Sequence, residues 1–417
     1  MKIAFLSQPM DGVLPPYQNS IGISTYEMAR RLVEYCEVVV YQKGQGYCKK
    51  VNVVDGVQYR SIPSIYDTKL TKIYGKFGRK YQSKAPSFFS IMYYFFYALS
   101  IALDLRTQKC DIVQVYNFSQ FVPIIRFFNP KIKIVLNMRC EWLTQIDRDL
   151  IENRLKHVNM ITGCSDYITN KIRDVFPENS SKCRTIYNGV DVDGFSCSKS
   201  SAGKNVSGLK LLFVGRCSPE KGVHVLIEAF HNVLEYFPEI HLDIVGSHGK
   251  VPYEYLVELH KDDTKVYELK KFYKDHRPDS YYVYCKELAD KLGIADKVHF
   301  LGGHPYEKMV SFYNQSDIVV NPSFSESFGR SLIEAMTCGK PVIASKVGGM
   351  TEIIENGKSG LLFESGNVSA LANSILLCLN NESLRETMGK ASRERVENTF
   401  SWDSVFTDLY AMFQELS

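Results

Sequence analysis

Short runs of β-branched and apolar residues recur along the chain, and between them apolar positions return every three or four residues. In the first half the runs are 2–6, 37–41, 111–115, 132–137 and 159–163. A second series follows at 210–214, 240–245, 298–301, 317–321, 340–344 and 360–363. Continuous apolar strands separated by helical stretches are what a parallel sheet buried on both faces requires, so the pattern predicts an α/β fold with two doubly wound, Rossmann-like parallel sheets. The segment 196–208, SCSKSSAGKNVSG, is poor in anything that fills a core and reads as a hinge linker between a domain at 1–195 and one at 209–398. At the end of the chain, 399–417, Trp402, Val405, Phe406, Leu409, Tyr410 and Phe413 fall at helical spacing and predict a helix that packs one apolar face. The Lys-, Tyr- and Asp-rich stretch 247–287 is long for a strand-to-helix connection and reads as a surface insertion with helical pieces.

Composition adds limits. The length, 417 residues, favours two domains at roughly 150 residues each, and 45% hydrophobic with 23% charged residues excludes a fibrous or disordered chain. Fifty Lys and Arg against 46 Asp and Glu leave +4, too little for a dedicated nucleic-acid binder. The N-terminal apolar run turns polar at Ser7, so no export signal is expected and the protein is placed in the cytoplasm. Eleven cysteines without a C-x-x-C pair suit reduced thiols better than a disulfide framework or a zinc site.

Three connections carry candidate chemistry. Ahead of the first helix stands Ile21-Gly22-Ile23, then Ser24-x-x-Glu27 as a capping box; Gly22 would let a phosphate approach backbone N–H groups at a positive helix end. After the 210–214 strand come Gly215-Arg216 and Lys221-Gly222, a guanidinium fork and a point cation where open α/β sheets bind ligands, suited to a diphosphate. Residues 321–336, NPSFSESFGRSLIEAM, place Glu326 in a polar loop and Glu334 in the following helix, where carboxylates accept from hydroxyls and the N–H groups between them face an anion. Asp191-Val192-Asp193 lies in a turn and is not read as a metal site, and the scattered histidines have no ligand spacing.

The joint pattern resembles the retaining glycosyltransferases of family 4 (glycosyl transferases group 1): G-R-x4-K-G at 215–222, P-S-x2-E-S-F-G-x4-E-A-M at 322–336, G-x-P-V-I-A-S at 339–345, Gly348-Gly349, Glu352, Gly360-Leu361, and Asn188-Gly189-Val190-Asp191. The resemblance implies a GT-B architecture, two Rossmann-like domains facing a central cleft, with an N-terminal acceptor domain, a C-terminal donor domain and the last helix crossing back onto the first. It implies a metal-independent hexosyltransferase-type enzyme of polysaccharide biosynthesis that needs no cofactor. The sugar would pass, with retention, from a nucleotide-diphosphate-sugar co-substrate, a UDP-sugar first among them, to a hydroxyl on a saccharide or lipid-linked acceptor. Carried over, it gives Arg216 and Lys221 the donor diphosphate, Glu334 the ribose hydroxyls and Glu326 the transferred sugar, so that Glu326, Arg216 and Lys221 are the catalytic candidates. Phe328, Gly329 and Arg330 would bring backbone N–H groups to the sugar, with Ser331 and Leu332 near the phosphate and Gly22 approaching the same diphosphate. Two departures stand out: Ile21-Gly22 replaces the usual Gly-Gly, and Arg139 stands where relatives commonly have a histidine, making it an acceptor- or sugar-side candidate that donates but cannot accept. These departures keep open a non-catalytic nucleotide-sugar-binding scaffold subunit; a nucleotide-sugar epimerase of the same architecture is a further alternative.

One feature lies outside those motifs. From 68 to 103 there is no acidic residue before Asp104, while Lys69, Lys72, Lys76, Arg79, Lys80 and Lys84 precede an aromatic run from Phe88 to Tyr97. A helix over 88–105 is too Tyr-rich to span a bilayer. Two readings remain: a buried helix of the first domain, or a peripheral contact of residues 69–97 with an anionic membrane at the inner face.

Overall fold

The computed structural model describes residues 1–16, 19–44, 46–70, 86–196 and 208–417. The chain divides into two compact units, Met1–Asn188 with Trp402–Ser417, and Gly189–Ser401. The expected hinge at 196–208 lies, apart from its two end residues, outside the described residues, as do the cations at 72, 76, 79, 80 and 84.

The first unit is built on β1 (Lys2–Leu6), β2 (Glu37–Gly44), β3 (Lys50–Val54), β4 (Val57–Pro63), β5 (Ile112–Tyr116), β6 (Lys133–Met138), β7 (Met160–Gly163) and β8 (Cys183–Thr185). They lie in the order β3-β4-β2-β1-β5-β6-β7-β8, parallel except for the antiparallel pair β3–β4. That pair is a hairpin that turns on Asp55 and Gly56, both at positive φ, as a two-residue hairpin loop demands. Strands β1 and β5 sit in the middle, where Ile3, Ala4, Phe5, Leu6, Ile112, Val113 and Val115 are fully buried. The helix Trp402–Leu416 completes this unit. It buries Trp402, Val405, Leu409, Met412 and Phe413, sets Phe413 edge-on to Phe5 at 6.2 Å, and packs Phe406 and Tyr410 at a tilt against Tyr35.

The helix expected over 88–105 is Phe95–Gln108 instead, preceded by a 3-10 turn at Ser87–Phe89. It cannot begin earlier because Tyr94 takes a left-handed conformation. The fully buried Asp67 carboxylate then accepts from the first N–H groups, Phe96 at 2.9 Å and Tyr97 at 3.0 Å. One face, Tyr97, Ala98, Ile101, Ala102 and Leu105, is core, whereas Ile91, Met92, Phe96 and Leu103 are exposed. No helix of the described residues is long and apolar enough to cross a membrane.

The second unit carries β9 (Lys210–Val214), β10 (His241–Val245), β11 (Val298–Gly302), β12 (Ile318–Asn321), β13 (Val342–Ser345) and β14 (Leu361–Phe363), all parallel, in the order β11-β10-β9-β12-β13-β14. Residues 189–195 belong here: Val190 N–H donates to the Phe400 carbonyl at 2.9 Å, and the Cys338 thiol meets the Phe195 carbonyl at 3.1 Å. The 247–287 stretch is not a surface appendage. Its short helices at Tyr253–Leu256, Thr264–Tyr267 and Glu268–Tyr273 deliver Leu256, Val266, Leu269 and Phe272 to the core of this unit. Lys250 ties the stretch together by donating to the Phe272 carbonyl at 3.2 Å and Ser280 Oγ at 2.8 Å.

Candidate functional site

In a doubly wound sheet, loops leave in opposite directions where the strand order reverses, and a crevice opens at the carboxyl ends of those strands. In the second unit the reversal falls between β9 and β12. The loops that follow these two strands are 215–222 and 322–329, the segments that the sequence singles out.

The loops are joined through backbone. Phe324 N–H donates to the Glu220 carbonyl at 2.7 Å. Gly222 sits at φ 68°, and a Cβ there would lie 2.1 Å from the Pro322 carbonyl oxygen, so close approach and backbone conformation both require glycine. This approach brings Lys221 Nζ to 2.6 Å from Glu326 Oε2, each side chain about one-fifth exposed. Arg216, five residues earlier, is exposed, with no hydrogen bond or ion pair to its side chain among the described residues. Two cations and a carboxylate thus occupy the carboxyl end of the sheet.

The helix Arg330–Thr337 starts at Gly329, φ 112°, with no side-chain cap; Leu332 N–H donates to the Gly329 carbonyl at 2.9 Å, and the positive end of the helix lies at 329–331. Phe328 is buried edge-on against Phe400 and anchors the loop before it. Glu334 is 4% exposed and hydrogen-bonded through each oxygen: Oε1 accepts from Arg330 Nε at 2.8 Å and Oε2 from the Tyr313 hydroxyl at 2.7 Å. Arg330 also donates to the Tyr306 hydroxyl at 2.9 Å. Burial alone would weaken the Arg330 cation, but Tyr306 and Glu334 hold it above the usual guanidinium range. Glu334 is therefore half of a buried ion pair as well as a candidate ligand. Sequence reading missed Tyr306 and Tyr313, since nothing in a sequence links them to a glutamate more than twenty positions away.

In the first unit the reversal falls between β1 and β5. The helix after β1 runs Ser20–Leu32, five residues earlier than the capping box at Ser24 places it. Asn19 is the cap, its Oδ1 accepting from Gly22 N–H at 2.8 Å. A Cβ on Gly22 would fall 1.7 Å from the Gly12 carbonyl, so the packing of the loop demands this glycine whatever else it does. Ser24, within the helix, instead accepts from Arg139.

Asp11 fixes Asn19 by accepting from Nδ2 at 2.7 Å, and also accepts from Gln8 N–H at 3.1 Å. Burial pushes this carboxyl up to about 6 against those hydrogen bonds. The folded state therefore keeps the proton longer than the unfolded chain, and stability falls as pH rises from about 4 to about 6, then levels off. Two units of displacement correspond to about 3 kcal/mol. Urea unfolding of Asp11→Asn across this window is expected to show the variant gaining on the parent as pH rises; a constant difference would contradict the account.

Arg139, just past β6, is half-buried and held on every nitrogen. Its N–H donates to Asn117 Oδ1 at 2.6 Å, Nε to Asn137 Oδ1 at 2.7 Å, Nη1 to Asn188 Oδ1, and Nη2 to Ser24 Oγ at 3.1 Å. The guanidinium lies 5.7 Å from the Tyr116 ring centre. Among the described residues no group of three His, Cys, Asp or Glu is arranged to hold a metal ion.

Two family models together match nearly the whole chain: glycosyl transferases group 1 over residues 198–395, and Glycosyltransferase Family 4 over 21–193. Spore coat protein SA of Bacillus subtilis is 27% identical over 334 residues, 76% of this chain and 82% of that protein. The D-inositol 3-phosphate glycosyltransferase of Kribbella flavida is 28% identical over 261 residues, 60% of this chain and 55% of its own. Among solved structures, sucrose-phosphate synthase from Thermosynechococcus elongatus superposes with a TM-score of 0.74 at 18% identity, covering 100% of this chain and 98% of that one. Anabaena HepE in complex with UDP and glucose gives 0.71 at 17% identity, with full coverage of both. The chain belongs to the GT-B glycosyltransferases of the family 4 and group 1 type, enzymes that transfer a sugar from a nucleotide-diphosphate-sugar donor.

Proposed function

We propose that this enzyme takes a UDP-sugar and transfers the sugar, with retention of configuration, to a hydroxyl of a saccharide or lipid-linked acceptor. The observation that carries the site assignment is the Lys221–Glu326 contact at the strand reversal of the second unit. In the unliganded chain the two charges neutralise each other. An incoming donor exchanges that pair for two better-matched ones: Lys221, with Arg216, takes the diphosphate, and the released Glu326 carboxylate accepts from sugar hydroxyls. The backbone at 328–331 adds a positive helix end to the anion, with Leu332 beside the phosphate. Glu334, steadied by Arg330 and Tyr313, accepts from ribose hydroxyls through the lone pairs those residues leave open.

Charge on the departing diphosphate is then met by fixed cations and amide dipoles rather than by a metal ion. As the bond between sugar and diphosphate breaks, the acceptor hydroxyl attacks the oxocarbenium-like sugar from the face the diphosphate leaves and gives its proton to the departing phosphate oxygen, which preserves the configuration. UDP is the nucleotide proposed because a structurally similar protein was solved with UDP. The test is a panel of nucleotide-sugars in which transfer, hydrolysis and epimerisation are separated: transfer from UDP-sugars with an unchanged anomeric centre supports the reading. Nucleotide binding without any transfer would favour a scaffold subunit.

Residues 69–97 are proposed to touch an anionic membrane surface at the inner face. In sequence, the exposed Tyr66 precedes and the exposed Ile91, Met92 and Phe96 follow a stretch rich in Lys and Arg, and Tyr66 meets Phe96 at 6.2 Å. Flotation with vesicles containing phosphatidylglycerol is expected to carry the protein upward at low salt and to fail with neutral lipid. Equal behaviour in both would remove the membrane contact.

A further inference from the structure

We propose that Arg139 is an anion-binding residue of the first unit, and that one of the two substrates carries a carboxylate or phosphate group to it. The inference deepens the reading above, and rests on it only for which molecule carries the anion.

A guanidinium has five N–H donors and one positive charge. Arg139 uses three of the donors, on Asn137, Asn188 and Ser24, and every one of these acceptors is neutral. No carboxylate pairs with Arg139 among the described residues; Glu141, two positions on, pairs with Lys171. One N–H on each terminal nitrogen has no acceptor among the described residues, and the charge has no counter-ion there. Asn137 is fully buried, and its Nδ2, beside the oxygen that Arg139 holds, also lacks an acceptor. Unmatched donors and an unmatched positive charge therefore gather at one place. A neutral sugar hydroxyl would satisfy a donor but leave the charge; a planar carboxylate or a phosphate satisfies both.

Position supports the same reading. Arg139 follows β6, its partners come from the ends of β5 and β6, from the helix after β1 and, as Asn188, from the segment after β8, and the strand reversal lies between β1 and β5. That is the carboxyl edge where such sheets receive ligands. Four other described arginines of this unit lack carboxylate partners for different reasons: Arg106 is exposed, and Arg173 donates to Asn170 Oδ1 and to the carbonyl of Cys183, at the opposite, amino end of β8. Arg126 spends both terminal nitrogens on four acceptors, three of them backbone carbonyls, and Arg154 is only 5% exposed.

Inorganic phosphate serves as the probe. In protein labelled with nitrogen-15 arginine, the Arg139 Nε–H resonance, assigned by its loss in Arg139→Lys, is expected to shift on phosphate titration. It should still do so in an Arg216→Gln/Lys221→Gln background, where the second-unit anion site is disabled. An unmoved resonance, or a shift abolished by those second-unit substitutions, would overturn the proposal. Transfer assays then identify the source. Donors with a neutral or a carboxylated hexose form one arm, and acceptors with and without a phosphate or carboxylate the other. The anionic partner of one arm is expected to be favoured by about tenfold or more in kcat/KM, a preference that Arg139→Gln erases. Neutral substrates used equally well in both arms, with no change in Arg139→Gln, would also defeat it. Absence of transfer with every pair would instead count against the proposed transferase reading, and the phosphate titration would still decide the site.

Discussion

Lys221→Met is expected to lower kcat/KM with a UDP-sugar by about 10²–10³-fold, the usual cost of removing one preorganised charge-stabilising donor, while leaving the unfolding midpoint nearly unchanged. The asymmetry follows from the environment. Lys221 and Glu326 are partly solvated, so their mutual contact contributes at most about 1 kcal/mol to folding. In the departing-group step the same ammonium faces charge that exists only as the bond to the sugar breaks, and an interaction made in the transition state appears in kcat. Glu326→Gln separates the roles further. The amide still accepts a hydrogen bond but carries no charge, so UDP affinity should hold or rise as Lys221 is freed, while affinity for the intact UDP-sugar and turnover both fall. Isothermal titration with UDP and with UDP-sugar on both variants reads this out. Equal losses for UDP and UDP-sugar in Glu326→Gln would place that carboxylate away from the sugar.

Much of this arrangement was legible in the chain, for identifiable reasons. Strands such as β1, β9 and β12 are buried on both faces, so their apolar runs are continuous and bounded by polar loops. The loops at 215–222 and 322–329 announce themselves through glycine and charge at fixed spacing. Strands β3 and β4 were missed because β3 is an exposed edge, lacking an apolar run; the Asp55-Gly56 dipeptide was the available signal, a two-residue hairpin turn. The helix after β1 was placed late because Ser24 fits a cap, whereas Asn19, steadied by Asp11, is the residue whose oxygen meets a first-turn N–H. The insertion at 247–287 misled through its charge: four apolar side chains at Leu256, Val266, Leu269 and Phe272 outweigh the surrounding lysines once they find the core. Arg139 shows the remaining gap. Its type and position are visible in the sequence, but the neutrality of all its partners comes from four separate segments and exists only in the folded chain.

Glu334→Ala is expected to lose donor affinity and, less obviously from its motif, to destabilise the second unit by about 3–5 kcal/mol, the cost of stranding a buried ion-pair partner. The carboxylate is 4% exposed and holds two residues: without it Arg330 keeps its charge beside the neutral Tyr306 hydroxyl, and the Tyr313 hydroxyl loses its acceptor. Glu334→Gln should be milder, because an amide oxygen still accepts one of these hydrogen bonds while the missing charge leaves the guanidinium unneutralised. The paired change Arg330→Met/Glu334→Leu distinguishes the structural from the ligand role. Removing both charges together eliminates the stranded ion, so most of the stability lost in Glu334→Ala should return, while UDP affinity stays low because no carboxylate remains to accept from ribose. Urea unfolding and UDP titration on the three variants give the two quantities independently. Recovery of UDP binding along with stability in the paired variant would make Glu334 a purely architectural residue and would withdraw it from the donor site.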